Sequence, residues 1–263
     1  FGFAAQGVAT ATLVSEIFIA VVSLWVVFNS KEISFHNISL ISIVQWSALV
    51  HMMKMNRDLF IRTICMIAVY NMVTAYGMRY GDSILAGNAI LMQIHFLMAN
   101  FLGGIGNAGT VIAGKSIGQK NRVLFYQSIY LTAIWGAIMA SILTGLSVLF
   151  QSPLIGIFTN LPAVLQAAND YFYWILFYPL LGFWGLGLFG IFVGATTAGP
   201  IRNSLVYSLI VFLLCLWLSV DKLGNNAIWL SFTLFNLARS LFLWKDLSLL
   251  KRSLFKNNCL KEI

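Results

Sequence analysis

Few side chains in this sequence are able to do chemistry, and most of them stand inside long apolar runs. Glu16 is the only acidic residue placed near the middle of one. A carboxyl group at that depth can carry a proton or hold a cation, and its bland alternative is a neutral, hydrogen-bonded helix contact. Asp170, between Asn169 and Tyr171, stands near the edge of another run, where it can cap a helix or face a vestibule. His95 can exchange a proton near neutral pH. These three are the candidates for holding a proton or a coupling cation. Gln93, Asn100 and Asn107 recur every seven residues, so on a helix they form nearly one stripe. That stripe reads either as the lining of a polar cavity or as a row of interhelical hydrogen bonds.

No catalytic constellation accompanies them. The sequence holds no G-x-S-x-G, no H-E-x-x-H, no Walker loop and no dinucleotide fingerprint. Gly103, Gly104 and Gly106 lie inside an apolar run with no strand before them, so they do not read as a phosphate cradle. An intramembrane enzyme built on His95 and the nearby amides is the remotest alternative. A retinal site needs a buried lysine in the last span, and Lys245 comes only at its end. Cys65, Cys215 and Cys259 share no metal-ligand spacing, so no metal is expected.

The elements that position these residues follow from hydropathy. Of the 263 residues, 60% are hydrophobic and 9% charged, against about a quarter charged in ordinary soluble domains. A soluble fold of this length cannot hide so much apolar surface, whereas lipid can take it. Four prolines in the chain leave room for long helices, and the unbroken runs do not show the alternation of a membrane barrel. Apolar runs place spans at about 6–28, 58–79, 83–113, 123–150, 162–197, 201–220 and 226–244. The first lacks a basic leader and is too long for a signal-peptide core, so it reads as a true span of a longer protein. Residues 31–55 read as a cytoplasmic loop or interfacial helix, and 249–263 as a basic cytoplasmic tail. The fifth run is expected to kink at Pro179, Pro200 suits a first helical turn, and Asp82 and Ser83 read as an N-cap. Arg62 and Arg239 read as snorkelling residues close to the cytoplasmic ends of their spans.

The net charge of +8 invites a nucleic-acid partner, but the basic residues sit between apolar runs and form no stripe. Twelve Lys and Arg, among them Lys115, Lys120 and Arg122, fall on one side of the spans, and only Arg79 and Lys222 on the other. The positive-inside rule then makes the C-terminus cytoplasmic, in a multi-pass protein of the inner (plasma) membrane. Gly182, Gly185, Gly187 and Gly190 run through the fifth span beside Pro179. Small residues let helix backbones approach closely, or allow a helix to bend beside a cavity.

Several segments carry a resemblance. Residues 56–62 (NRDLFIR) resemble the start of the seventh helix in the DinF branch of the multidrug and toxic compound extrusion (MATE) family. Residues 81–91 (GDSILAGNAIL) are similar to the opening of its eighth helix, and 114–121 (GKSIGQKN) to the loop after it. Residues 190–196 (GIFVGAT) with 201–205 (IRNSL) form the most distinctive stretch. Residues 226–231 and 237–241 resemble the last helix, and 7–16 the entry to the sixth. The resemblance implies an all-α integral membrane protein of about seven transmembrane helices. One six-helix MATE-like lobe, residues 56–248, is joined by one additional helix, residues 1–30, and the family's N-terminal half is absent. It also implies export of cationic or amphipathic compounds, driven by a proton or sodium gradient and needing no cofactor. Glu16 matches an acidic residue seen in some members. At three positions where the branch often carries an acid, this chain has Gly103, Thr110 and Phe189.

The reading is therefore a secondary active exporter of drug-like or toxic organic compounds, or the C-terminal lobe of one. The rival is a truncated membrane bundle without transport. Expected partners are membrane lipid, an amphipathic or cationic small molecule, and an absent N-terminal lobe.

Overall fold

The computed structural model describes residues 4–29 and 46–255, which form α-helices and one short 3-10 turn, with no strand among them. Seven of the helices are long and apolar enough to cross a membrane. The fold is that of an all-α membrane protein. Contacts divide the chain into two units, Phe1–His51 and Met52–Ile263.

In the first unit, α1 (Ala4–Asn29) is mostly apolar, with Leu13, Phe18 and Trp25 exposed. Its 26 residues reach about 39 Å, more than the hydrocarbon core of a bilayer requires.

The second unit is built from α2 (Trp46–Gly77), α3 (Asp82–Gly118), α4 (Arg122–Leu149), α5 (Gln151–Gly156), α6 (Pro162–Tyr171), α7 (Tyr173–Gly194), α8 (Gly199–Leu223) and α9 (Asn225–Phe255). The turns between neighbours are short and their residue types explain them. Gly81 (φ 96°) and Gly224 (φ 56°) take backbone angles that side chains disfavour, and so reverse the chain before α3 and α9. Asn121 caps α4, its Oδ1 accepting from the Leu124 N–H at 3.0 Å. Pro162 and Pro200 occupy the first turns of α6 and α8, where a missing N–H costs nothing.

The glycine-rich α7 lies at the centre and packs against α3, α4 and α9. Lipid tails are as apolar as leucine, so close van der Waals contact and hydrogen bonds must hold such helices together. At the α3–α7 crossing a Cβ on Gly190 would run into the Gly106 carbonyl oxygen. The Thr110 hydroxyl locks this crossing by donating to Gly106 O at 3.1 Å and, across the interface, to Gly190 O at 2.9 Å. On the other flank, Ser240 of α9 donates to Leu181 O at 2.8 Å and accepts from the Gly185 N–H at 3.1 Å.

Several boundaries differ from the hydropathy reading. Residues 46–55 are helical and run unbroken into the second span, while 31–45 lie outside the described residues. The stretch 162–197 is two helices rather than one, and the break falls at Phe172 instead of Pro179. Hydrogen bonds from Phe172 N to Asn169 O and from Ile175 N to Phe172 O tighten the chain there, while Pro179 lies within a continuous α7. Gly81, not Asp82 or Ser83, occupies the cap of α3, and no side chain bonds to that end. The last helix runs on to Phe255, through the start of the predicted tail.

Candidate functional site

The long α3 divides its polar residues between two faces. Gln93, Asn100 and Asn107 point outward along one exposed face, and none hydrogen-bonds another described residue through its side chain. Gly103 and Gly104 sit between Asn100 and Asn107 with open space where a Cβ would project. The face is thus a shallow polar strip through the middle of the helix. Beside Gln93 a cavity of about 180 Å³ opens between α2 and α3, lined by Tyr70, Thr74, Asn88, Met92 and Phe96.

The opposite face of α3 is buried. Near its start, Asn88 exchanges two hydrogen bonds with Asn225 of α9, at 2.7 and 3.1 Å. The Trp229 indole N–H completes the set by donating to Asn88 Oδ1 at 2.9 Å. All three residues are buried, and direct side-chain hydrogen bonds among them join α3 to α9. Asn226 next to it accepts from Tyr173 and Trp174, tying α9 to the start of α7.

Deeper in the same bundle lies a second polar cluster. His95 is enclosed by Tyr70, Phe96, Tyr178 and Phe232, with the Tyr178 ring centroid 4.0 Å away. Its Nδ1 has no hydrogen-bond partner. Arg239 of α9 is 4% exposed, and Arg62 of α2 faces the same small cavity. The snorkelling expectation fails for Arg239, which is buried, whereas Arg62 is half-buried. Each stands about four turns from the end of its helix, because α2 starts earlier and α9 ends later than the apolar runs indicate. Arg239 is turned into protein rather than out to an interface.

Glu16 is exposed on α1, and Asp170 is exposed at the end of α6, where the neighbouring Asn169 accepts from Gln151. The stripe on α3 and the cavity beside Gln93 therefore stand together, whereas Asp170 lies apart from them and His95 is on the buried side. Among the described residues, no group of three His, Cys, Asp or Glu could hold a metal ion. Of the three positions where the resemblance implies an acid, Gly103 opens on the strip, Thr110 locks the α3–α7 crossing, and Phe189 lies under the Arg62 guanidinium at 4.4 Å.

The Asn88 network and the buried Arg239 are not visible in the sequence reading. Asn88 lies off the seven-residue stripe, and its partners are about 140 residues away in the chain. Arg239 is detectable only in that a full helical turn of residues precedes and follows it without another charge.

Residues 59–220 match the MatE family. The DNA damage-inducible protein F of Escherichia coli (strain K12) is 28% identical over 244 residues, which cover 90% of this chain and 52% of that protein. The chain thus spans about half the length of this relative.

Proposed function

Since the chain belongs to the MatE family of transporters, we infer that it supplies one lobe of a secondary active exporter of amphipathic or cationic organic compounds. The observation that carries this reading is the exposed amide strip of α3, Gln93, Asn100 and Asn107, bordering a cavity in an otherwise apolar bundle. In hydrocarbon, amides without partners are costly, so such a face belongs against a water-lined path or a second lobe. Gly103 and Gly104 keep that face low enough for a drug-sized molecule to lie across it. Export would follow from substrate and a proton or sodium ion binding differently to inward- and outward-facing states, with no cofactor and no nucleic acid.

Under this proposal the partners are lipid, the exported compound and a second lobe of helices. The α3–α4 connection, with Lys115, Lys120 and Arg122 at or beside it, and the C-terminus lie on the cytoplasmic side of the inner membrane, following the twelve-to-two bias of Lys and Arg. We assign ion coupling to Glu16, the acidic residue near the middle of the first apolar run, so Glu16→Gln should lower uncoupler-sensitive export at equal abundance.

Export by the full-length protein in a host lacking its own exporters tests the central reading. Replacing Gln93, Asn100 and Asn107 together by leucine should reduce dye efflux at least about tenfold while the protein still inserts and accumulates, because such outward positions contribute little to stability. Unchanged efflux at matched abundance would overturn it.

A further inference from the structure

We propose that Arg62 and Arg239 form a binding site for one small monovalent anion, of the size of chloride, in the interior of the helical lobe. Arg239 is nine-tenths buried, and two of its three guanidinium nitrogens, Nε and Nη2, have no hydrogen-bond partner. The third, Nη1, reaches the Met66 sulfur at 3.9 Å, a weak acceptor, and the neutral Tyr178 hydroxyl, which also interacts with this guanidinium, carries no charge to balance it. The guanidinium of Arg62 rests on the face of Phe189 at 4.4 Å, and that neutral ring cannot balance its charge. Both arginines line a cavity whose other walls include Leu186, Ile201, Leu205 and Leu243.

Among the described residues, no carboxylate forms a salt bridge with either arginine. Among the described residues the salt bridges all belong to Asp58, whose Oδ1 takes Arg202 at 2.8 Å and Arg57 at 3.0 Å. Two like charges share one apolar chamber, so each raises the cost of the other. A buried charge left unpaired is strongly destabilising. One negative charge between the two guanidinium groups relieves the repulsion and meets the free N–H donors at once.

The size of the chamber selects the ligand. Its volume is about 10 Å³, room for roughly one particle of the size of a water molecule. A halide fits with small movements of the two flexible side chains. A phosphate, a lipid headgroup or the carboxylate of an organic substrate does not. The ligand would knit α2 to α9 across α7, since Arg62, Arg239 and the cavity-lining Gly185 and Leu186 come from these three helices.

Thermal melting of the purified full-length protein in detergent tests the site, with sodium chloride, sodium bromide and sodium gluconate compared at equal ionic strength. Chloride and bromide should each raise the melting point by about 3 °C over gluconate, saturating with concentration. Arg239→Met and Arg62→Met should each abolish that rise. In bromide-soaked crystals, an anomalous peak should lie between the two guanidinium groups. Equal melting of the unaltered protein in all three salts, or a halide-dependent rise that persists in Arg239→Met, would overturn the proposal. If either variant fails to fold, the bromide peak decides on the unaltered protein, and its absence at a saturating concentration counts against the site.

Discussion

The helical lobe holds two buried polar clusters, and they are built on opposite plans. At one end Asn88, Asn225 and Trp229 form a closed set, in which the two amides exchange donors and acceptors and the indole N–H fills the remaining site. Deeper in the bundle, Arg239 and His95 are equally buried, yet Arg239 Nε and Nη2 and His95 Nδ1 find no partner. A satisfied network among neutral groups costs little to bury and fixes the register of the helices it joins. An unsatisfied charge is tolerated only where something outside the fold offsets it, or where the fold is stable enough to carry it. The first cluster therefore has the makings of a structural rivet and the second those of a ligand site.

Substitutions can break this comparison or sharpen it. The largest effect is expected from Asn88→Leu, which leaves the Asn225 amide and the Trp229 N–H without partners in an apolar interior. Stability should fall by about 2–4 kcal/mol, read as a lower melting point in detergent. A loss below about 1 kcal/mol would mean that the closed set is not a rivet. Trp229→Phe keeps the ring and removes one donor, while Asn88 Oδ1 retains Asn225 Nδ2 at 3.1 Å. The same melting measurement should show a loss of only about 1 kcal/mol. The smallest effect belongs to the other cluster. Arg239→Met removes a charge that has no carboxylate partner among the described residues and fills its place with an apolar side chain. In gluconate buffer the melting point should stay the same or rise slightly, since replacing a buried charge by hydrophobic packing is often neutral or stabilising. A fall as large as that of Asn88→Leu would show that Arg239 has an internal partner after all and that the two clusters are alike.

The lobe's polar chemistry is thus divided by face as well as by depth. On α3 one side carries the exposed amides Gln93, Asn100 and Asn107, and the other carries Asn88 and His95, enclosed by neighbouring helices. The seven-residue spacing was enough to place the three amides on one face, because helical periodicity is local. It could not tell which face is open. That depends on α7 and α9 covering the far side, and their glycines, Ser240 and Thr110 act only once the helices have met.

From sequence alone, then, the chain is determined to be an all-helical membrane protein, because the length of an apolar run has only one physical outcome in lipid. Local chemistry also explains some of the turns, through Asn121, Pro162, Pro200, Gly81 and Gly224. Tertiary structure decided the rest. It split residues 162–197 at Phe172, where hydrogen bonding tightens, although Pro179 is the stronger local signal. It buried Arg239 within the lobe, because neighbouring helices close around the middle of α9. It paired Asn88 with Asn225, and brought Arg62 and Arg239 to a shared chamber with Phe189 beneath one of them. Hydropathy records what a residue prefers as a solvent, and that preference is summed along the chain. Partners are chosen across it, by packing between helices that the run of residues alone does not place side by side.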